Sequence, residues 1–247
     1  SSSGPSGSVE INTGAGVGGN GGDIVLAVGS GDVGVGGKVR VTAGETTSGD
    51  AGGDIELVSG YSTESTSGSI ELMTANAGSA GSSGAIGLTT GLATLGDSGV
   101  ISVATGASEN GAGGSIELTV GDGTVGDGGN IVLTAGLTED SAAGGNVNIM
   151  SGVGVQTDSG SISLNTADSG SAGVSGTISL QTGSATAGDS GRVVLKSGNS
   201  ESGAAGDVSI EVGEGDTGVG GSARITAGVS TGQSGGNVVL TSGVGTT

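Results

Sequence analysis

Gly176-Thr177-Ile178-Ser179-Leu180-Gln181-Thr182-Gly183 is the stretch on which our prediction of the fold rests. Apolar and polar residues alternate between two glycines, which is typical of a strand with one buried face. Variants of this stretch occur sixteen times in the 247-residue chain. We call each one a segment and number the segments 1 to 16 in chain order. The first glycine of a segment is its marker glycine, and other residues carry their offset from it, from +1 to +7.

The sixteen segments keep a nearly constant spacing, since a new one begins at every fifteenth or sixteenth position. The marker glycines are Gly7, Gly22, Gly37, Gly53, Gly68, Gly84, Gly99, Gly114, Gly129, Gly145, Gly160, Gly176, Gly191, Gly206, Gly221 and Gly236. Position +2 is Val or Ile in every segment except segment 15, where it is Ala223, and position +4 is always Leu, Ile or Val. Position +6 is always Thr, Ser, Ala or Val. We therefore expect three side chains per segment on one face, buried where segments stack.

A longer period lies over the short one. The segment Gly22–Gly29 returns in similar form as Gly114–Gly121 and again as Gly206–Gly213, with 92 residues at each step. Six short units thus make one 92-residue super-repeat, which indicates duplication of a block within a long array.

The stretches between segments, such as Ser184–Ser190, are rich in Gly, Ser and Asp and have the composition of turns. No stretch has helical spacing. These features predict an all-β fold, a parallel β-solenoid of sixteen strand–turn units whose equivalent strands stack about 4.8 Å apart. We expect residues 1–247 to form one continuous β-solenoid array, uncapped at both ends and continued by more of the same chain or by end-to-end assembly.

One turn of the predicted coil could contain either one unit or two. A one-unit turn would need a return side made of stretches such as 14–21, which have almost nothing to bury. A two-unit turn of 30 or 31 residues is predicted, because the longer of the two spacings always begins at an odd segment and the basic residues all lie in odd segments. Those residues are Lys38, Arg40, Arg192, Lys196 and Arg224. Such a turn would place Glu10, Arg40 and Glu71 side by side on one face.

The composition limits the classes of function. Gly makes up 61 of the 247 residues, and His and Cys are absent. Such a composition is typical of disordered low-complexity chains, but the fixed phase of the aliphatic residues favours an ordered one. The net charge of −19 disfavours nucleic acids and anionic membranes as partners. No apolar run is long enough for membrane insertion and no signal-peptide pattern is present.

Several motifs have simpler interpretations than ligand binding. The stretch Gly14–Gly19 matches a dinucleotide-binding fingerprint but leads into another strand-like segment, so its glycines are interpreted as turn residues. Gly18–Val25 fits a calcium-binding nonapeptide only once, and an acidic turn is the simpler interpretation. The acidic loops could bind Ca²⁺ weakly, but no ligand set converges by spacing. These loop acids include Asp122, Asp127, Glu139 and Asp140. The sequence predicts no catalytic, cofactor or metal site.

Two other functions, catalysis and ice binding, have weaker support in the sequence. Without His or Cys, and with Tyr61 as the single aromatic residue, the chain is not expected to be an enzyme. Ice binding would use a flat outward column of Thr at position +5. That column is interrupted by other side chains, among them Met73, Lys196 and Glu211.

The stretch Ser175–Gly183 resembles the tandem repeats of giant Gly/Ser-rich β-solenoid proteins of microbial and algal cell surfaces and appendages. The resemblance implies a structural repeat segment of a long filament or fibre, extracellular or at the cell surface. Its partners would be further copies, associating end to end or laterally, other fibre subunits, or divalent cations. The alternative is a binding module of the β-solenoid type, either ice-binding or adhesin-like.

Overall fold

The computed structural model describes residues 4–245, and within that range it contains no helix and no strand. The prediction of an all-β parallel β-solenoid is therefore wrong, and with it the sixteen strand–turn units and the two-unit turns of 30 or 31 residues. The chain is coil-like throughout its described length.

The solvent-accessible surface agrees with a chain that lacks a core. It amounts to 24610 Å². A folded protein of 22.4 kDa would expose about 9400 Å² and its unfolded chain about 32000 Å². No side chain between residues 4 and 245 is buried. The aliphatic residues thus keep their period without a shared interior.

The described residues lack a buried core because of the small number of aliphatic residues and the many glycines in each unit. Every unit but that of segment 15 supplies two large aliphatic side chains, at positions +2 and +4, and the chain as a whole holds 61 glycines. Ordering the backbone costs conformational entropy at every residue, and most of all at glycine. Periodicity indicates which side chains share a face of the segment. It does not supply enough apolar surface to order the glycine-rich loops between the segments.

The structure does contain the turns that the composition predicts, because each loop between successive segments bends once. These bends lie at 17–19, 32–35, 47–50, 63–65, 79–81, 94–96, 109–111, 124–126, 139–142, 155–157, 171–173, 186–188, 201–203, 216–219 and 231–233. The chain therefore changes direction once in every unit, at a similar distance from each marker glycine.

Three of these bends show the 92-residue period in their backbone angles. Gly34, Gly126 and Gly218 have φ values of 85°, 88° and 91°. This left-handed region is open to glycine and strained for other L-residues, so each bend depends on glycine at that position.

By proximity the residues group into two halves, the first ending at Thr119 and the second beginning at Val120. Each half has its own backbone–backbone hydrogen bonds. In the first half the Gly53 amide donates to the Gly44 carbonyl and the Gly68 amide to the Gly60 carbonyl, both at 2.9 Å. In the second half the donor and acceptor pairs are Gly145 and Gly136, Gly160 and Gly152, and Gly236 and Gly228. The continuity of one array over residues 1–247 stays a prediction.

Amide hydrogen exchange in dilute solution tests this description. We expect most amides to exchange at rates close to those of an unfolded chain. The amides of Gly53, Gly145 and Gly236 should exchange about two- to tenfold more slowly, the protection that one exposed hydrogen bond gives. Gly22 and Gly37 are the matched controls, as marker glycines outside this hydrogen-bonded set. Equal exchange at the two sets, or strong protection along whole segments, would contradict the structure.

Candidate functional site

The recurrent local structure of this chain is a corner between consecutive segments, which we call the glycine corner. It consists of the residue at +6 of one segment, the residue at +7 that follows, and the marker glycine of the next segment. From Gly22 to Gly236, a methyl group added at any marker glycine would lie within 4 Å of the preceding residue at +6. The end of each segment therefore lies against the start of the next.

Where the residue at +6 is valine, the corner has no room for a side chain on the marker glycine. A methyl group on Gly129 would lie 2.7 Å from Cγ1 of Val120. The same approach is 2.6 Å for Gly37 with Val28 and for Gly221 with Val212. Contacts this short do not occur in real structures, so either the valine moves or the marker position remains glycine. These three corners are related by the 92-residue period.

Where the residue at +6 is alanine or serine, the backbones come closer. Each of the five amide-to-carbonyl bonds described above, 2.9 to 3.0 Å long, follows a small side chain at this position. Those side chains are Ala43, Ser59, Ala135, Ser151 and Ala227. A small side chain lets the carbonyl at +7 reach the next marker amide. All five are half-buried, as is Ser197, whose corner lacks the bond.

One threonine corner has a side-chain hydrogen bond of its own. Oγ1 of Thr105 donates to the carbonyl oxygen of Gly114 at 3.3 Å. A methyl group on Gly114 would lie 3.4 Å from this threonine, an ordinary van der Waals distance. The residue at +6 thus limits how closely a corner can approach, although Ser197 shows that a small residue alone does not form the backbone bond.

The apolar residues that were expected to point into a core remain in water. In segment 11 the side chain at +2, Ile162, is 52% exposed and the side chain at +4, Leu164, is 69% exposed. Val155, in the preceding loop, is 92% exposed. The corner therefore shields position +2 more than +4, and both remain available to a partner.

The polar positions +3 and +5 lie on the same side of a segment and bond to each other. Nε of Arg40 donates to Oγ1 of Thr42 at 3.3 Å, and Nδ2 of Asn12 donates to Oε1 of Glu10 at 2.7 Å. Residues two apart share a side in extended backbone, so these bonds fit the alternation read from the sequence. The predicted grouping of Glu10, Arg40 and Glu71 on one face depended on the two-unit turn and is therefore wrong as well.

Hydroxyl groups at position +9, shortly after the end of the segment, hold several bends. Oγ of Ser62 accepts the Ser65 amide at 3.0 Å, and Oγ of Ser230 accepts the Gln233 amide at 2.9 Å. Such side-chain-to-backbone bonds are the ordinary reason for serine in turns. The sequence carried this signal as a recurrent hydroxyl at +9, but our prediction did not use it.

The acidic loop residues lie in or beside the bends. Oδ1 of Asp140 accepts the Ser141 amide at 2.7 Å, and Asp122 and Asp127 flank the bend at 124–126. Among residues 4–245 no three acidic side chains gather as a metal site would require. Gly14–Gly19 contains a bend and is followed by no helix.

The described part of the chain contains no cavity. It also contains no helix long and apolar enough to cross a membrane.

Comparison with known proteins gives no relative. No protein-family model matches the chain. No curated protein is similar to it, and no solved structure resembles it.

A pair of alanine substitutions tests the valine corner. Gly129→Ala should separate residue 129 from Val120, because the added methyl would otherwise lie 2.7 Å from Cγ1. The measurement is the nuclear Overhauser effect between the Val120 methyls and residue 129, which should be lost. Gly121→Ala is the control, since nothing lies within 4 Å of that position.

The double variant Val120→Ala, Gly129→Ala should restore the approach of the two backbones, because the small side chain at +6 makes room for the new methyl. Here the measurement is the Overhauser effect between the methyl group at position 120 and residue 129. An unchanged Overhauser effect in Gly129→Ala, or one lost in Gly121→Ala as well, would contradict the steric account.

Proposed function

We propose that this chain is a structural repeat segment of a long filament, extracellular or at the cell surface, formed by association of its copies end to end or side by side. The observation that carries this proposal is the glycine corner. The same approach of the residue at +6 to a marker glycine recurs at every unit from Gly22 to Gly236. A local structure repeated with so little variation suits a material in which every unit has the same task.

The exposed apolar residues support association of copies. Positions +2 and +4 present a pair of large aliphatic side chains in nearly every unit, and they stay largely exposed in the single chain. Soluble monomers rarely leave such a recurrent apolar surface in water. Covering it would contribute roughly 25 cal/mol for each Å² of apolar surface removed from water. A second copy offers the same residues at the same spacing.

The charge distribution determines the conditions of assembly. The net charge is −19, and 16 of the 24 acidic residues lie in the loops between the segments. Like charges on neighbouring copies repel, and this repulsion is screened by salt. A saline extracellular medium with divalent cations therefore favours association more than water of low ionic strength does.

Electron microscopy tests the proposed function directly. Protein concentrated at physiological salt should form long filaments of uniform width, because each copy offers equivalent contacts along its whole length. Dispersed particles at every concentration would contradict the proposal. Thermal hysteresis activity from those particles would favour the ice-binding alternative, which the interrupted threonine column makes the weaker one.

The ionic strength gives a second test. Raising NaCl from 10 mM to 150 mM shortens the screening length from about 30 Å to about 8 Å. The loop carboxylates of neighbouring copies then repel each other less, and the protein concentration at which filaments form should fall. Light scattering across a dilution series measures this threshold. A threshold that rises over this salt range would contradict the role given to the loop charges.

A further inference from the structure

The charges on segments 3 and 4 match position by position. Lys38 and Arg40 stand at +1 and +3 of segment 3, and Asp54 and Glu56 stand at +1 and +3 of segment 4. Each basic residue of segment 3 thus has an acidic residue at the same position in segment 4.

The same match recurs in segments 13 and 14, at a different pair of positions. Arg192 and Lys196 stand at +1 and +5 of segment 13, and Asp207 and Glu211 stand at +1 and +5 of segment 14. Arg224, in segment 15, has no acidic counterpart in segment 16. Four of the five basic residues therefore follow one rule of spacing.

The corners of a single chain do not bring these matched residues together. Its corners place the end of one segment against the start of the next, as Ala43 lies against Gly53. The +1 and +3 positions of consecutive segments are thus not set opposite each other by the corner, and Nε of Arg40 bonds instead to Thr42. A second copy lying alongside can bring equal positions together.

The apolar residues permit any stagger of whole units between two parallel copies, because positions +2 and +4 recur in every segment. The charges discriminate among these staggers. Without stagger, Lys38 would face Lys38 and Arg40 would face Arg40, which is repulsive. With a stagger of two units, Arg40 of one copy would face Glu71 and Arg40 of the other would face Glu10, but Asp23 would face Asp54.

With a stagger of one unit, the four matched pairs form together, and Asp23 also faces Lys38. One like-charge meeting remains, between Glu56 and Glu71. This stagger gives the best balance of attraction over repulsion.

We propose that copies of this chain associate side by side and parallel, each displaced by one repeat unit from its neighbour, so that the basic residues of one segment face the acidic residues of the next segment in the other copy. This register rests on the proposed filament function. The occupant of the exposed apolar face is then a second copy, and the charged positions determine its alignment.

Disulfide trapping tests the register. Because the natural chain contains no cysteine, only the introduced cysteines can form disulfides. Met73 and Thr89 stand at the exposed position +5 of segments 5 and 6. Full-length Met73→Cys and Thr89→Cys variants are mixed at physiological salt and oxidised. The mixed disulfide should exceed either homodisulfide by about tenfold, because a disulfide needs Cα atoms within about 7 Å.

The other outcomes overturn the proposal in distinguishable ways. Filaments linked by homodisulfides would leave the proposed function standing and remove the stagger. An intramolecular disulfide in a chain carrying both cysteines, without covalent dimers, would show that the match closes within one copy. Absence of any association would remove both the register and the filament.

A charge reversal with a matched control tests the pairing itself. Lys196→Glu should raise the concentration for half-maximal mixed disulfide by about fivefold, the upper range for one exposed ion pair. Adding Glu211→Lys to the same chain should restore it. Arg224→Glu changes the net charge equally but has no matched partner, so it should have little effect. Equal effects of Lys196→Glu and Arg224→Glu, or no rescue by Glu211→Lys, would overturn the proposal.

Discussion

The close approach of the side chain at +6 to the next marker glycine is the constraint that the local structure of this chain shares from unit to unit. It recurs from the pair Thr13 and Gly22 to the pair Ala227 and Gly236. It closes each loop where a glycine can be approached without a clashing methyl group. Because the contact is made between neighbours in sequence, it forms without a core. A chain can therefore be regular at the scale of one unit while its aliphatic side chains remain in water.

The sequence predicted the period, the bends and the alternation of sides, since each follows from residues a few positions apart. It did not predict the state of the apolar face. Ile162 and Leu164 stand at the expected positions but are about half to two-thirds exposed. Burial requires enough apolar surface per ordered residue, and glycine-rich loops dilute that surface. The composition, typical of disordered chains, was the better guide here than the periodicity.

The sequence indicates only part of the candidate site. The spacing identifies the marker glycines, but the reason for glycine there, the approach of Val120 or Ala135, becomes apparent only when the loop is closed. The periodicity also does not indicate the role of the hydroxyls of Ser62 and Ser230, although serine near a turn is an ordinary signal. The position-by-position match of charges could be read from sequence alone. Only the structure indicates whether the matched residues could pair within one chain, because it shows that the corner does not set them against each other.

The closed loops have a consequence for how this chain tolerates change in length. The loop between Gly44 and Gly53 is one residue longer than the loop between Gly60 and Gly68, yet both close with a bond of 2.9 Å. Closure thus tolerates a difference of one residue in the enclosed loop, as expected when the entropy of a flexible loop grows only slowly with its length. By the same argument, we expect short peptides inserted at the bends to leave the spacing of the flanking segments intact. The bends are therefore the positions at which this chain should best accept additional sequence.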